Sequence, residues 1–284
     1  MKILITGSNG FIGYYLSNYF LAKGWVVYGI SRSLSKIIHN NFTWIHASID
    51  QSTFHMPSID FCIHTAALSP NLHSSTVDYI NNNITGTKNV IDSIKNSKCK
   101  KIIFLSGVSV YGEIADKEVN EKTPIINPGP YGSSKYLAER EIIGQTHVEH
   151  IIFRLPGVLG RYANNPWLVR TIRKIISNIN IEVYNKNELF NNAVDIHNLA
   201  RFLYLCITDN KITNNTFILG AADPMYMYEI IDYIKYKTNS TSNITYCNKK
   251  KSFTINYVKA KEVGYKPYSL KKMISGQINN ILRG

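Results

Sequence analysis

The chain of 284 residues is 44% hydrophobic and 18% charged, typical of a soluble protein with a sizeable core: one large domain, or a main domain with a smaller lobe. Its formal net charge of +13 does not by itself indicate a nucleic-acid partner, because no nucleic-acid-binding motif occurs and the lysine run at 249–251 is typical of a solvated segment. We therefore expect no nucleic-acid partner, and a positive field that attracts small phosphorylated ligands.

The start of the chain and its cysteines indicate a reducing compartment. No apolar stretch is long enough to span a bilayer, and residues 1–7 have the pattern of a strand and a turn rather than of a signal peptide. Cys62, Cys99, Cys206 and Cys247 form no C-x-x-C pair and lack metal-ligand spacing. We predict a cytoplasmic location, reduced cysteines, no membrane insertion and no metal site.

A glycine-rich turn follows the first predicted strand at residues 2–6 and precedes a helix predicted over 14–23. Its spacing is G-x-x-G-x-x-G rather than the simple G-x-G-x-x-G, but the mechanism is the same. The first glycine allows a tight turn, the second lets the backbone approach a pyrophosphate at the helix N-terminus, and the third permits close helix packing. We therefore predict dinucleotide contacts from Gly7, Ser8, Asn9, Gly10, Phe11, Ile12 and Gly13.

The second predicted strand, 25–30, ends in Ser31, Arg32 and Ser33, with no acidic residue between Gly24 and Asp50. An acidic side chain at this place binds the ribose 2′-hydroxyl of NAD, whereas an arginine accommodates the 2′-phosphate of NADP. This strand end therefore favours NADP(H), although NAD(H) stays open. The alternative interpretation of Arg32 is a solvent-facing arginine at a strand end.

Strands and helices alternate along the first half of the chain. Further strands are predicted at 42–47, 60–65, 101–105 and 150–154, and helices at 75–96 and 131–145. This alternation predicts an α/β protein with a doubly wound, Rossmann-like parallel sheet, whose strand ends should bring Gly7, Arg32, Ala66 and Ser106 to one crevice.

The regular alternation weakens in the second half. We predict helices at 167–177, from 197, at 228–237 and at 269–282, and strands at 181–184, 189–194 and 216–219. The predicted organisation is a dinucleotide-binding domain over 1–160, to which some later segments return, and a smaller C-terminal substrate-binding lobe over 161–284.

Tyr131 and Lys135 are spaced to act together. Residues four apart on a helix project from the same face, and an ammonium beside a phenol favours the phenolate. The pair is therefore a candidate general acid or base. A bare Y-x-x-x-K occurs often by chance, so its weight depends on the rest of the chain.

Four motifs in order resemble the extended short-chain dehydrogenase/reductases. They are T-G-x-x-G-x-x-G at 6–13, S-G-V-S-V-Y-G at 106–112, Y-x-x-x-K at 131–135 and R-L-P-G-V-L-G at 154–160. Residues 194–200 and 263–267 extend the similarity over nearly the whole chain. More narrowly, the chain resembles the NAD(P)-dependent epimerase/dehydratase branch that acts on nucleotide sugars.

This resemblance implies the catalytic roles. Tyr131 would exchange the hydroxyl proton of the sugar while a nicotinamide carries the hydride, and Lys135 would lower the pKa of Tyr131 and hold the nicotinamide ribose. Family members usually complete this triad with a serine or threonine where this chain has Gly107. Ser109 is the favoured substitute and Ser106 the other candidate.

The resemblance also implies binding residues and departures from them. Further cofactor contacts fall on Ile49, Ala66, Ala67, Asn83, Ser106, Tyr131, Lys135 and Pro156, and substrate contacts on Ser109, Tyr111, Gly157, Arg161 and Arg170. Many members have an acidic residue at the position of Ser48 and an asparagine at that of Gly157. Arg173 is another candidate for the substrate diphosphate, and Arg201 a weaker one.

The leading functional prediction is an NADP(H)-dependent reductase of a nucleotide-linked 4-keto-6-deoxyhexose, for surface-polysaccharide synthesis. The alternatives are an NAD-dependent nucleotide-sugar 4-epimerase and a non-catalytic NADP-binding sensor or scaffold. A dehydratase is disfavoured, because dehydratases of this family generally carry an Asp-Glu pair where this chain has Val108 and Ser109. The family resemblance further implies a homodimer through the helices at 75–96 and 131–145.

Overall fold

The computed structural model describes residues 1–70, 73–248 and 252–283, so the lysine run at 249–251 lies outside the described residues. The chain divides into two compact units. Unit 1 comprises Met1–Gly112, Ile125–Arg154 and Leu203–Phe217, and unit 2 comprises Glu113–Pro124, Leu155–Phe202 and the chain from Ile218 on. The cofactor and substrate roles expected for the two parts of the chain remain predictions.

The strands are β1 (Lys2–Thr6), β2 (Val26–Ser31), β3 (Phe42–His46), β4 (Phe61–His64), β5 (Lys101–Gly107), β6 (Glu118–Val119), β7 (Glu149–Leu155), β8 (Gly157–Leu159), β9 (Ile181–Tyr184), β10 (Leu189–Phe190), β11 (Ala193–Asp195), β12 (Asn215–Ile218), β13 (Met225–Tyr226), β14 (Ile244–Cys247) and β15 (Thr254–Ile255). The helices are α1 (Phe11–Ala22), α2 (Thr76–Tyr79), α3 (Gly86–Ile94), α4 (Pro130–Ile143), α5 (Trp167–Ile176), α6 (Ile196–Thr208), α7 (Met227–Thr238), α8 (Val258–Glu262) and α9 (Leu270–Leu282). A π-helical segment, Ile80–Thr85, joins α2 to α3, and a 3₁₀ turn, Val108–Tyr111, follows β5.

A seven-stranded sheet in the order β12-β7-β5-β4-β1-β2-β3 forms the centre of unit 1. β1 pairs in parallel with both β2 and β4, because the chain first runs outward to β3 and then returns to the other side of β1. Ile3, Leu4 and Ile5 are fully buried, as expected for a central strand that is covered on both faces. The predicted α/β class with a doubly wound parallel sheet is confirmed.

The helix predicted over 75–96 is interrupted by the π-helical segment. A capping box at Ser75 and Asp78 starts α2, and the π-helical segment then buries Asn83 before α3 begins. π-Helical turns are rare and often occur at functional sites. The sequence pattern carries no mark of this interruption.

Unit 2 consists of short strand pairs with helices α5, α7 and α9 packed together. β8 pairs in parallel with β11, β9 with β14 and β6 with β15, whereas β10 and β13 are antiparallel. The single strand predicted over 189–194 is two strands, because the Asn191 carbonyl between them accepts the amides of Ala193 and Ala221. No helix of the described part of the chain combines the length and the low polarity needed to cross a membrane.

Candidate active site

The glycine turn after β1 has no room for side chains at two of its glycines. Gly7 has a φ of +68°, and a Cβ on Gly13 would lie 2.2 Å from the Gly7 carbonyl oxygen. The Gly10 amide closes the turn by donating to that same oxygen at 2.9 Å. α1 then starts from Gly10 with no side-chain cap, so this helix N-terminus fits the pyrophosphate of a dinucleotide.

Ser8 and Asn9 tie the glycine turn to neighbouring backbone. The Ser8 amide and hydroxyl both donate to the Ile30 carbonyl, at 3.0 and 3.2 Å, and Ser8 is fully buried. The Asn9 Nδ2 donates to the carbonyls of Ser33 and Leu34 at 2.8 and 3.0 Å, and its buried Oδ1 has no partner among the described residues. Both donors of Ser8 therefore hold the turn on β2, and the predicted cofactor contact of Ser8 stays a prediction.

The loop after β2 uses its serines internally. The Ser31 hydroxyl donates to the Ser33 carbonyl at 2.8 Å and accepts from Trp44 Nε1 at 3.0 Å. The Ser33 hydroxyl accepts from Asn9 at 3.0 Å. Arg32 is exposed between them. The serines thus shape the loop and present the guanidinium to solvent, while their own cofactor contacts stay predictions.

The segments after β3 and β4 hold the other residues predicted to bind cofactor. Ile49 is buried, and its carbonyl accepts from Asn89 Nδ2 at 2.7 Å. The Ser48 hydroxyl donates to the Asp50 carboxylate. Ala66 is half-buried and Ala67 is exposed after β4. These positions fit a ligand at the end of the sheet where Gly7 also lies, because β1 and β4 are parallel neighbours.

Tyr131 and Lys135 lie in the first two turns of α4, close to the segment that follows β5. Gly132 permits this approach, since a Cβ there would lie 2.2 Å from the Ser109 carbonyl oxygen. The Tyr131 ring contacts Tyr79 edge-on, with 5.8 Å between the ring centroids. Lys135 is 2% exposed, and its Nζ lies 4.0 Å from the centroid of the Phe104 ring.

Burial shifts the pKa values of this pair in opposite directions. It lowers the pKa of Lys135 to about 7, against the opposing effect of Glu139, and it raises the pKa of Tyr131 to about 12, with Tyr79 adding to the rise. In this structure the pKa of Tyr131 is thus shifted opposite to the direction expected from the Lys135 charge, and the predicted catalytic role of Lys135 stays a prediction. Desolvation of the phenolate is the main cause of the rise, and the neighbouring Tyr79 adds to it.

The segment after β5 supplies two hydroxyls and one glycine. Ser106 is 5% exposed, and its Oγ has no partner among the described residues. Ser109 is exposed. Gly107 has an extended backbone with φ −146°, which any residue can adopt, so backbone geometry does not require the glycine. Either serine remains a candidate for the third hydroxyl.

Tyr111 lies in the interior of unit 1. It is fully buried, and its ring centroid lies 4.9 Å from Arg154 Cζ. Arg154 in turn donates to both carboxylate oxygens of Glu139, at 3.1 Å from Nε and 2.7 Å from Nη2. The Tyr111 side chain therefore supports this buried ion pair, and its predicted substrate contact stays a prediction.

Comparison with known proteins agrees with these features. The sequence model of the NAD dependent epimerase/dehydratase family matches residues 3–220. The chain belongs to this family. The predicted resemblance is thereby confirmed.

Individual relatives of this family share parts of the chain. A UDP-glucose 4-epimerase of Halalkalibacterium halodurans is 32% identical over 49% of this chain and 45% of its own length. A dTDP-D-glucose 4,6-dehydratase of Dictyostelium discoideum is 32% identical over 58% of this chain and 43% of its own length. The chain thus spans less than half the length of these two curated relatives.

Solved structures show the same fold over the full length. The UDP-glucuronic acid 4-epimerase of Bacillus cereus, solved in complex with NAD, superposes with a TM-score of 0.85. The two chains are 22% identical, and the match covers 100% of this chain and 99% of the other. Similarity at this level of identity establishes the fold.

The residues predicted to bind substrate in unit 2 of this family member lie mostly at its surface. Arg161 and Arg170 are exposed, as is Arg201. Arg173 donates to Asn164 Oδ1 at 2.6 Å. A Cβ on Gly157 in β8 would lie 3.0 Å from Pro166 Cβ, and Pro156 beside it is buried. No contact among the described residues holds these arginines around a common point, so their roles stay predictions.

Sequence reasoning missed buried polar residues that surround the Tyr131 pair in unit 1. They are His64, Thr87, Ser134 and Glu139, each at most 2% exposed. One available signal is His64 itself, a lone histidine at the end of the apolar strand β4. Ser134 and Glu139 follow from the helical spacing of α4, because they flank Lys135. Thr87 lies on α3 and has no such signal.

Proposed function

We propose that this chain is an NAD-dependent nucleotide-sugar 4-epimerase. The observation that carries the proposal is the pair of half-buried Tyr131 and buried Lys135 on α4, in the same compact unit as a glycine turn that fits a dinucleotide. Membership of the family supports a pyridine nucleotide, and the epimerase names of the relatives favour this activity over the reductase first predicted from Arg32.

The residues present fit the roles that this reaction needs. The N-terminus of α1 and the glycine turn would hold the pyrophosphate of NAD, whose nicotinamide ring supplies reversible hydride acceptance when bound. Tyr131 would hold the proton at the reacting sugar oxygen. Because burial keeps Tyr131 a neutral phenol at pH 7, it can donate a proton to the sugar oxygen. To accept a proton instead, it needs a nearby positive charge, such as that of oxidised nicotinamide, that lowers its pKa.

A second candidate, an NADPH-dependent keto-sugar reductase, has one observation in its favour. Arg32 is exposed at the end of β2, where a 2′-phosphate can reach it. Calorimetric titration of the chain with NAD and with NADP, in parallel with Arg32→Asp, separates the two. We expect tighter binding of NAD and little change on substitution. NADP preference that Arg32→Asp reverses would support the reductase instead.

Activity is tested with the purified chain, NAD and a panel of UDP- and dTDP-linked hexoses and hexuronic acids. We expect conversion to the C4 epimer at constant nicotinamide absorbance. Oxidation of NADPH by a 4-keto-6-deoxyhexose nucleotide would favour the reductase. Tight cofactor binding with no conversion of any substrate would favour a non-catalytic sensor or scaffold.

The roles of the units and the assembly extend this proposal. Unit 1 would bind the cofactor and unit 2 the nucleotide of the sugar.

A second copy of this chain would cover exposed apolar side chains on α2, the π-helical segment and α4. These are Val77, Ile80 and Leu137, exposed by 60%, 44% and 48%. Light scattering should give the mass of a dimer, and Leu137→Glu should give a monomer. A monomeric wild type would contradict the assembly.

A further inference from the structure

A chain of buried hydrogen bonds runs through unit 1 beneath the candidate site. Its side chains belong to Thr6, His64, Thr87, Asn83 and Ser134, and each is at most 2% exposed. They come from β1, β4, α3, the π-helical segment and α4. Polar groups buried to this degree must satisfy one another, so the direction of each hydrogen bond can be derived.

The direction follows from Thr87. Its hydroxyl has one hydrogen, which it donates to the Asn83 carbonyl at 2.6 Å. Towards His64 Nε2, at 3.0 Å, the Thr87 oxygen can therefore only accept, so Nε2 carries the hydrogen. The Nδ1 of a neutral imidazole is then an acceptor, and the Thr6 hydroxyl donates to it at 2.7 Å.

The Thr6 hydroxyl oxygen accepts two hydrogen bonds from the loop that follows β4. The amides of Thr65 and Ala66 donate to the Thr6 oxygen at 3.2 and 3.1 Å. A protonated His64 would present a second hydrogen to an oxygen that already accepts two. The network is therefore complete only with neutral imidazole in the Nε2–H tautomer.

The electrostatic surroundings agree with a neutral His64. Burial lowers the pKa of His64 to about 3, and the positive charge of Lys135 contributes to the lowering. The imidazole also lies against the Phe104 ring, at 5.3 Å between centroids, whose π face Lys135 contacts. His64 therefore does not act as an acid or base at neutral pH.

The same network continues to the catalytic helix. Asn83 Nδ2 donates to the Ser134 hydroxyl at 2.9 Å, and Ser134 donates to the Tyr131 carbonyl at 2.8 Å. Asn83 Oδ1 accepts the Leu68 amide at 2.7 Å. His64 thus joins the end of β1 to Thr87 and the Asn83 carbonyl of the π-helical segment, and the Asn83 side chain joins that segment to the loop after β4 and to the first turn of α4.

We propose that His64 is a positioning residue: its Nε2–H tautomer fixes the π-helical segment against β1 and thereby sets the position of Tyr131 relative to the bound cofactor. This inference rests on the proposed function for its kinetic consequences only. A histidine that merely fills space could be replaced by an apolar side chain, whereas a positioning histidine needs an acceptor on one side and a donor on the other.

The tautomer can be observed directly by two-bond ¹H–¹⁵N NMR of the labelled chain, with and without NAD. The signal that disappears in His64→Gln is assigned to His64. We expect the Nε2–H tautomer and no titration between about pH 5 and 9. An Nδ1–H tautomer, or titration near the ordinary value, would overturn the proposal, and neither outcome depends on turnover.

Variants separate positioning from stability. Thr87→Val keeps the shape and removes the acceptor for Nε2, so we expect about a tenfold fall in kcat and in NAD affinity. His64→Leu should do the same, whereas His64→Gln places its amide nitrogen near the Nε2 position and should lose less than about threefold. The matched control is Val90→Ala in α3, fully buried and apolar.

The Val90→Ala control distinguishes a loss of positioning from a general loss of stability. Val90→Ala should lower the melting temperature at least as much as Thr87→Val while leaving kcat and NAD affinity unchanged. Equal kinetic losses in both variants, or unchanged kinetics in Thr87→Val and His64→Leu, would overturn the proposal. If the wild type converts no substrate, the proposed function fails. The positioning role of His64 is then still tested by comparing the NAD affinity and the ¹³Cζ chemical shift of Tyr131 between the wild type and the His64 and Thr87 variants.

Discussion

The two units bury polar side chains for different purposes. In unit 1 they include ionisable groups whose pKa values are strongly shifted by burial, namely His64, Tyr131 and Lys135. In unit 2 they include neutral amides that bond to the main chain, and the Tyr265 phenol, which also donates to a main-chain carbonyl. Asn191 holds the amide and carbonyl of Ile255, at 2.7 and 2.9 Å, and Gln277 accepts the Gly160 amide at 2.9 Å.

This difference between the units indicates that the proposed proton transfer takes place in unit 1. A buried amide whose hydrogen bonds are made costs little, whereas an ammonium whose pKa is lowered by burial, such as Lys135, destabilises the fold below its usual pKa. Groups shifted in this way cluster at functional sites. In unit 1 the shifted phenol and ammonium, Tyr131 and Lys135, lie one turn apart on α4, whereas in unit 2 the buried Tyr265 phenol donates to the Gly220 carbonyl at 3.0 Å and stays neutral. Substitution of Tyr131 or Lys135 in unit 1 should therefore affect activity, and substitution of the buried amides of unit 2 should affect stability alone.

The largest effect is expected from Tyr131→Phe. Loss of the group that exchanges the substrate proton should lower kcat by about 10²- to 10⁴-fold while NAD still binds. Steady-state kinetics with calorimetric titration measure both. The matched control is Tyr136→Phe on the same helix, which should retain activity, and a Tyr131→Phe variant with wild-type turnover would contradict the assignment.

Glu139→Ala should give the next largest effect, on stability. It leaves the Arg154 guanidinium buried without its carboxylate, which costs about 3–5 kcal/mol of unfolding free energy. Urea denaturation measures the loss. A double variant, Glu139→Leu with Arg154→Met, should recover most of it, because no charge is then left unpaired. A loss below about 1 kcal/mol in the single variant would show that the pair is solvated.

Lys135→Met should inactivate the chain and also stabilise it in a pH-dependent manner. The pKa of Lys135 is depressed from 10.5 to about 7, so the cost of burying its charge is full below pH 7 and disappears above its usual value. The variant should gain about 2–4 kcal/mol at pH 6 and much less at pH 10. Thermal denaturation of the variant and the wild type at both pH values measures this gain in stability. A gain that is the same at pH 6 and pH 10 would contradict the lowered pKa of Lys135.

Asn191→Ala probes unit 2 and should have the smallest effect. Removing its bonds to Ile255 should cost about 1–3 kcal/mol of unfolding free energy. NAD affinity should remain unchanged, because both residues belong to unit 2. A loss of NAD affinity comparable to that of Thr87→Val would break the contrast between the units.

The sequence predicts those features of the fold and the site that depend on residues close together along the chain. The turn at Gly7, Gly10 and Gly13 is recognisable because close approach excludes side chains there, and the pair Tyr131 and Lys135 follows from helical spacing. The sheet follows from the alternation of apolar runs with helical patterns.

Features set by distant residues were not predictable. His64 bonds to residues 58 and 23 positions away, so no local pattern marks its role. The upward shift of the Tyr131 pKa depends on burial and on Tyr79, which only tertiary packing supplies. Strands as short as β6 and β15 are defined by their pairing with each other and carry no period of their own.

The central claim is that Tyr131 exchanges a sugar hydroxyl proton while the carbon-bound hydrogen is taken up and returned by the same cofactor. The most direct measurement is ¹H NMR of UDP-glucose incubated in D₂O with the chain and NAD. We predict the C4 epimer with its carbon-bound proton retained and nicotinamide absorbance unchanged. Deuterium at that carbon, stoichiometric consumption of a reduced cofactor, or no conversion of any UDP- or dTDP-hexose despite bound NAD would contradict it.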